Sequence, residues 1–288
     1  MRTDYRCPAC ILKVATKEAQ MLLSKDRMAF IKKVISILDK ELEKAITPAH
    51  IAALRERALK EVSRNPDPYK SFKGNLMKFV SENIAPLIAK ELNNLPEGYH
   101  KFRWLVLNAS AINGYEIPLH GGDDIAERFM KSINRGLGID HSESAFDLIT
   151  KLDSADIISY VLDNAHELPI DLLLIKYLEG LGKTVYIFAR KNPVADDVTL
   201  NEVKNHYESP YIFGLESPLG VMPDMESETN MNILKTSKLI IAKGMANYET
   251  LTELNLGIPV LHLLTVKCEV VAEHVGVNVR SPIALLRR

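Results

Sequence analysis

Cysteine is scarce in this chain, and there is no excess of charge of either sign. Three cysteines in 288 residues cannot form the disulfide framework of a small secreted domain. A formal net charge of −1 argues against nucleic acid or an anionic membrane as a partner held by bulk electrostatics. No apolar run is long enough to cross a bilayer, and the N-terminus lacks the apolar core of a signal peptide. We therefore expect a cytoplasmic protein with neither a nucleic-acid nor a membrane partner. The sequence makes no prediction of the oligomeric state.

Three widespread catalytic motifs are also missing. No glycine lies at the spacing of a Walker loop before Lys243 or Lys267, which excludes a P-loop. No Gly-x-Gly-x-x-Gly follows the first predicted strand, and no Gly-x-Ser-x-Gly occurs. These absences exclude the dinucleotide-binding fingerprint and the serine-hydrolase elbow.

The composition is that of a globular protein, and the two halves of the chain differ in pattern. Apolar residues at helical spacing dominate residues 1–152, which predicts a helical N-terminal domain. The predicted helices cover residues 16–24, 25–44, 47–63, 75–93, 104–112, 123–134 and 142–151.

From residue 153 onward, short apolar runs alternate with amphipathic segments. Strands are predicted at 157–162, 184–189, 211–214, 238–241 and 259–264, with helices at 168–181, 200–205, 225–236 and 248–254. This alternation predicts an α/β domain over residues 153–288, with a mostly parallel sheet and helices on both faces.

The most informative segment follows the first predicted strand, where Asp163 and Asn164 stand side by side. Open α/β sheets bind ligands at the carboxyl ends of their strands, and carboxylate and amide oxygens are ligands of hard divalent cations. Taken alone, the pair is more simply explained as the N-cap of the next helix.

The loops after the other predicted strands carry related chemistry. Among their acidic, amide, hydroxyl, basic and glycine residues are Asp196, Asp197, Ser217, Lys243, Gly244, Asn247 and Lys267. Carboxylates can hold Mg²⁺ or Mn²⁺, whereas lysines and loop amides can hold phosphate. Each residue alone has a plain structural explanation, but their coincidence on one sheet edge suits metal-assisted phosphoryl chemistry.

Four C-terminal segments, in this order, resemble motifs of the metal-dependent damage-control phosphatases. This family is also called the acidic-residue-methyltransferase-like proteins and was first catalogued as domain of unknown function 89. The segments are Asp163-Asn164-x-x-Glu167 followed by Asp171, Pro193-Val194-x-Asp196-Asp197-Val198-Thr199, Lys243-Gly244-x-x-Asn247-Tyr248-Glu249, and Lys267-Cys268. An N-terminal Cys7-x-x-Cys10 resembles the motif of the archaeal-type branch. The resemblance covers nearly the whole chain.

The resemblance implies a Rossmann-like three-layer α/β/α core beside the helical domain. It also implies one divalent ion (manganese, nickel, cobalt or magnesium) on Asp163, Asn164 and Asp197. A small phosphorylated metabolite would then be bound through residues from the loops and from the last N-terminal helix. These candidate phosphate-binding residues are Asn113, Glu116, Ser217, Lys243, Gly244, Asn247 and Lys267.

Two residues depart from the family pattern. His166 stands where glycine is usual, and Asp196 stands where asparagine is usual. Both are candidate proton donors or acceptors, so the candidate catalytic residues are Asp163, Asp196, Lys267 and His166. Attack by water and attack by a carboxylate both remain open.

The resulting hypothesis is a metal-dependent phosphatase acting on phosphate monoesters such as sugar phosphates or damaged metabolites. A carboxyl methyltransferase using S-adenosylmethionine also suits a Rossmann-like sheet, but the first loop is acidic and lacks a glycine-rich turn. A third alternative is a non-catalytic binding protein, or a redox protein that uses Cys7 and Cys10. No second cysteine or histidine pair completes a zinc site for these cysteines.

Overall fold

The computed structural model describes residues 1–44, 46–114 and 125–288, with only the backbone given at 125–128. The first part of the chain is mainly helical. Its helices are α1 Cys7–Leu22, α2 Arg27–Glu41, α3 Pro48–Ser63, α4 Lys70–Phe79, α5 Ala85–Asn94, α6 Tyr99–Ile112, α7 Ile125–Arg135 and α8 Ser142–Thr150, and the short strand β1 Ile139–Asp140 lies between the last two. None of the helices in these ranges is long and apolar enough to cross a bilayer.

Strands and helices then alternate. The elements are β2 Ile157–Val161, α9 Leu168–Gly180, β3 Thr184–Arg190, α10 Leu200–His206, β4 Ile212–Leu215, α11 Glu228–Thr236, β5 Leu239–Lys243, α12 Gly244–Leu251, β6 Val260–Thr265, α13 Glu269–Val275 and β7 Pro282–Arg287. A 3₁₀ turn, Ala165–Glu167, separates β2 from α9.

These strands form one seven-stranded sheet in the order β1-β7-β6-β5-β2-β3-β4. All neighbours are parallel except β6 and β7. The predicted α/β class with a mostly parallel sheet and a helical N-terminal region is therefore confirmed.

Apolar layers cover both faces of the sheet. Ile158 and Tyr160 of β2 join a cluster that includes buried residues of α6 and α9, whereas Val161 joins one with residues of α11. Adjacent strand residues point to opposite faces, so β2 is buried on both sides, as expected for a central parallel strand. The first cluster also takes residues from α4 to α8, which ties much of the helical region to the sheet.

Helices α1, α2 and α3 have an apolar cluster of their own, built around Phe30, Val34 and Leu59. A smaller cluster, with Ala49 and Ala53 of α3 against Leu219 and Met222, attaches this three-helix unit to the loops at the carboxyl edge of the sheet. A cleft lies between the unit and that edge.

Several predicted bounds are wrong for identifiable reasons. The single helix predicted at 75–93 is two helices joined by a π-helical turn at Val80–Ile84, because Pro86 in the first turn of α5 has no N–H to continue the α-helical ladder. Helix α1 begins at Cys7 rather than at residue 16, with Pro8 in its first turn.

The sequence pattern does not predict strands β1 and β7 or helix α13. Strand β7 begins at Pro282, a position where the missing N–H is tolerated, and it depends on its pairing with β6. The predicted boundary between domains at residue 152 stays a prediction.

Candidate active site

The order in which the chain adds strands to the sheet reverses beside β2. Strand β3 pairs with β2 on one side and β5 pairs with it on the other. The loops after β2 and β5 therefore diverge, and such a switch point is where open α/β sheets bind ligands. Asp163 and Asn164 follow β2, and Gly244 is the first residue of α12 after β5.

Backbone hydrogen bonds join the loops that follow β2 and β3. The Ala165 amide donates to the Asp196 carbonyl at 2.8 Å, and the Val198 amide donates to the Asp163 carbonyl at 2.8 Å. Asn164 and Asp197 face each other across an isolated antiparallel bridge. The structure thus brings Asp163, Asn164 and Asp197 together, although a whole helix and strand separate the first two from the third in the chain.

The Asp163 and Asn164 side chains do not cap a helix. Asn164 Nδ2 instead donates to Asp163 Oδ2 at 3.1 Å and to Glu167 Oε1 at 2.6 Å, and no side-chain cap is formed at the N-termini of the 3₁₀ turn or of α9. Asn113 Nδ2 donates to the same two carboxylates, at 2.9 Å and 2.7 Å. Two amide groups therefore hold the Asp163 carboxylate in place.

A buried ion-pair network continues behind these amides. Lys243 Nζ donates to Glu167 Oε2 at 2.5 Å and to Asp171 Oδ1 at 2.7 Å, and the Tyr160 hydroxyl also donates to Asp171 at 2.8 Å. Lys243, Glu167 and Asp171 are fully buried. The expected contact of Lys243 with phosphate is not supported, because its ammonium group is already bonded to two carboxylates and has no exposed surface.

Arg190 holds the second aspartate. Its Nε donates to Asp197 Oδ2 at 2.7 Å, and Nη1 donates to the carbonyl groups of Gly220 at 2.6 Å and Ser217 at 3.1 Å. Arg190 is 2 % exposed. It is absent from the candidates that the sequence identifies, although a charged side chain at the last position of an apolar strand is a visible signal.

The electrostatics of the two aspartates differ from those of the network behind them. Burial raises the pKa of Asp163 well above its usual range, and the Asp197 and Glu167 carboxylates add to the shift. Burial also raises the pKa of Asp197 to about 7, although Arg190 opposes it. For Glu167 the burial effect is outweighed by Lys243, and its pKa falls to about 2. Asp163 thus has no directly bonded cation of the kind that Glu167 has in Lys243, and the pKa of Asp197 stays raised although Arg190 is bonded to it.

A cleft of about 280 Å³ opens in front of the two aspartates. Its floor is formed by loop residues from the sheet edge: Asp163, Asn164, Ala195, Asp196, Asp197, Leu219, Met245, Ala246 and Lys267. Its opposite wall comes from the three-helix unit and the residues just after it, and includes Lys17, Glu18, Arg55 and Tyr69. The sequence pattern identifies no candidates on that wall.

The other predicted site residues lie behind or beside the cleft. His166 is 1 % exposed, and burial lowers the pKa of its ring; its Nε2 lies 3.4 Å from the Ile112 carbonyl. Ser217 Oγ donates to Glu226 at 2.8 Å, and Asn247 Nδ2 donates to the Lys243 carbonyl at 2.7 Å. The cleft is not lined by His166, Asn113, Ser217, Lys243 or Asn247. Glu116 lies outside the described residues.

Within the described ranges, no group of three or more histidine, cysteine, aspartate and glutamate side chains is arranged to hold a metal ion. The set at the cleft floor is of another kind, since it combines two carboxylates with an amide.

Cys7, far from this set in the chain, is buried and not in a disulfide, so it is not bonded to Cys10. Burial raises the pKa of the Cys7 thiol, which disfavours the reactive thiolate.

Comparison with known proteins assigns the chain to a family. The damage-control phosphatase ARMT1-like domain matches residues 3–283, and the protein belongs to this family. It is 28 % identical to an uncharacterised protein of Methanocaldococcus jannaschii, over 98 % of this chain and 94 % of that protein. It is 27 % identical to a protein of Archaeoglobus fulgidus named damage-control phosphatase, over 99 % of each.

A solved structure shows the same fold. The crystal structure of a DUF89 family protein from Pyrococcus horikoshii matches all of both chains with a TM-score of 0.87 and 24 % sequence identity.

Proposed function

We propose that the protein is a divalent-metal-dependent phosphatase that hydrolyses phosphate monoesters of small metabolites. One observation carries the proposal: two buried carboxylates and an amide, from two different loops, meet at the switch point of the sheet and face a cleft that also contains a lysine. Relatives from Archaeoglobus fulgidus and Pyrococcus horikoshii are named damage-control phosphatases, which supports the phosphatase part of the proposal.

The donor atoms suit a hard divalent ion. Asp163 and Asp197 each accept their side-chain hydrogen bonds on Oδ2, and Asn164 uses only its Nδ2. In the described part of the chain, no donor reaches Oδ1 of any of these three residues. Three oxygen atoms thus remain for a cation, and a cation would also offset the cost of burying two carboxylates. Manganese, nickel, cobalt and magnesium are all candidates.

When bound, the ion would supply positive charge to the phosphoryl oxygens during the reaction. The remaining steps fall to residues of this chain. Lys267 lines the cleft and is partly exposed, and no ion pair engages its ammonium group among the described residues. We assign it to a phosphoryl oxygen, whose charge it neutralises as a point charge.

Backbone groups provide further phosphate donors. Met245 and Ala246, in the first turn of α12, line the cleft. The N–H groups of a first helical turn have no partner within the helix, and they favour anions together with the helix dipole. Gly244 thus contributes through the start of this helix.

Asp196 is the remaining candidate for proton transfer. It lines the cleft and is partly exposed, so it can accept a proton from an attacking water molecule or return one to the leaving oxygen. His166 does not fit this role, because its ring is buried outside the cleft.

The groups that hold the two aspartates act as positioning groups in this proposal, and two of them, Asn113 and Arg190, lie outside the four motifs. Asn113 and Glu167, with Lys243 and Asp171 behind them, orient Asp163, while Arg190 orients Asp197. The methyltransferase alternative gains nothing from this geometry, because methyl transfer needs neither paired carboxylates nor a lysine facing the cleft.

The test is a panel of metals and phosphorylated metabolites, with phosphate release and calorimetric metal binding measured on the same samples. Wild-type protein should release phosphate only with a divalent ion, and Asp163→Ala should lose both turnover and metal binding. Asp153→Ala serves as the control, because this exposed residue lies before β2, at the opposite end of the strand. Metal-dependent turnover that survives in Asp163→Ala would refute the assignment.

A further inference from the structure

The helical wall of the cleft carries an arginine whose hydrogen-bonding groups are only partly used. Arg55 lies on α3 and is 8 % exposed. Its Nε lies 2.9 Å from Glu18 Oε2, and the Tyr69 hydroxyl donates to Glu18 Oε1 at 2.6 Å. Glu18 and Tyr69 thus fix the guanidinium group at the cleft surface.

The terminal nitrogens of Arg55 have no acceptor among the described residues. A guanidinium group presents five N–H donors in a rigid fork that matches a carboxylate or a phosphate. Arg55 Nε faces Glu18 but has no hydrogen-bond partner of its own, and no hydrogen bond from Nη1 or Nη2 to another described residue is found, so these two terminal donors remain available to a ligand. A ligand oxyanion in the cleft would give these terminal donors charge-assisted hydrogen bonds.

Charge around Arg55 is compatible with an anion. Lys17 lines the same wall, and no ion-pair partner for it is found in the part of the chain that the structure describes. Glu56, next to Arg55 in the chain, is buried, and Lys60 Nζ lies 3.8 Å from its Oε1, so the charge of this carboxylate is offset. The net charge of this wall is therefore set by Arg55, Glu18 and Lys17, and it is positive.

The wall is also separate from the elements assigned to the reacting phosphate. Lys267, the first turn of α12 and the proposed metal ligands all belong to the sheet edge, whereas Arg55 and Lys17 belong to α3 and α1. Apolar side chains complete the cleft lining, namely Val14, Met21, Leu22, Leu219 and Met245. A small molecule would thus contact charged groups at two walls and apolar groups between them.

We infer that Arg55, with Lys17 beside it, forms a second anion-binding subsite that selects phosphate monoesters carrying a further carboxylate or phosphate group. This inference rests on the proposed phosphatase function and narrows its substrate class.

Three probes of similar size test it: glycerol phosphate, phosphoglycerate and propanediol bisphosphate. The first has no second anion, the second adds a carboxylate and the third adds a phosphate. We expect wild-type protein to prefer at least one of the two doubly anionic probes over glycerol phosphate by about 10- to 100-fold in kcat/KM, the effect of one charge-assisted bidentate contact. The probe with the higher kcat/KM shows whether the subsite accepts a carboxylate or a phosphate group.

Arg55→Met should remove that preference by raising KM for the favoured probe far more than for glycerol phosphate. Arg55→Lys should restore part of it, because lysine retains the charge but not the fork. Arg57→Met is the matched control, since Arg57 lies two positions on in the same helix and is exposed. It should retain the preference.

Removing Arg55 alone leaves Glu18 buried with one partner, so the double variant Glu18→Gln/Arg55→Met is measured in parallel to separate binding from folding. The inference would be overturned if the folded variants lost kcat/KM equally for all three probes, or if wild-type protein showed no preference among them. If wild-type protein hydrolyses none of many phosphate esters, the proposed function fails instead. Calorimetric binding of the same three probes then still tests the subsite, which is rejected if Arg55→Met binds all of them as wild-type protein does.

Discussion

The Asp163 carboxylate lies directly against the Cα atom of Gly244. A Cβ atom at position 244 would be 1.8 Å from Asp163 Oδ2, and Gly244 also has a φ of +76°. Glycine is therefore required here both by its backbone conformation and by the space that the carboxylate occupies.

Gly244→Ala should displace the Asp163 carboxylate and abolish metal binding. The positive φ adds strain on the order of 1–3 kcal/mol, so the free energy of unfolding should fall as well. Gly182→Ala provides the control, because Gly182 has a φ of +77° but no neighbouring atom within 4 Å of the position that a Cβ atom would take. Calorimetric metal binding and chemical denaturation of both variants check this, and equal metal affinity in the two would contradict it.

Arg190→Met should destabilise the protein by about 3–5 kcal/mol, the usual cost of leaving one partner of a buried ion pair uncompensated. It should also weaken metal binding, because Asp197 loses the group that orients it. Lys191→Met, next in the chain, is expected to change stability little, since Lys191 pairs with Glu216 at an exposed site. Urea denaturation measures the difference, and similar stability of the two variants would count against the role of Arg190.

The two lysines near the site should behave differently. Lys243→Met should lower the free energy of unfolding by about 3–5 kcal/mol. Asp171 already has a pKa of about 6 beside Lys243, and this pKa should rise further without the ammonium group. The deficit should therefore begin to shrink above about pH 6 as the pH falls, because the unpaired carboxyl group takes up a proton. Lys267→Met should retain stability but raise KM for a phosphate ester. Denaturation and steady-state kinetics on both variants distinguish the roles, and the reverse pattern would show that Lys243 contacts phosphate.

His262 should make the protein sensitive to acid. Burial, with a smaller contribution from Arg287, lowers its pKa to about 3, below the unfolded value of about 6.5. Between these values the folded chain binds fewer protons than the unfolded chain, so the free energy of unfolding falls as the pH falls from about 6.5 to about 3. The full shift corresponds to roughly 5 kcal/mol.

His262→Leu should flatten this pH dependence, whereas replacing the exposed His206 should leave it in place. Denaturation curves between about pH 3 and pH 7 measure both. An unchanged slope in His262→Leu would contradict the prediction.

Parts of the fold are predictable from local pattern. The apolar runs that form β2, β3, β5 and β6 are short, rich in β-branched residues and bounded by polar segments, so their strand character is local. Strand β7 is not predictable in this way, because its place depends on antiparallel pairing with β6 and on parallel pairing with β1. Helix α13 is only one to two turns long and offers too little periodicity to recognise.

The sequence by itself determined which loops meet. Parallel strands end at one edge, so Asp163, Asp197 and Lys267 had to lie on the same side of the sheet. Only the tertiary structure decided what each side chain does there. Lys243 ends a central strand and is directed into the protein interior, whereas Lys267 lies two residues beyond β6 and reaches the cleft. The two lysines differ in their distance from the end of a strand, and strand ends cannot be predicted accurately enough to show that difference. Arg55 depends on Glu18 in another helix, and such a contact leaves no local pattern in the sequence. The position of Arg190 at the end of an apolar strand is visible in the sequence, but its contacts with Asp197 and with the loop after β4 are not.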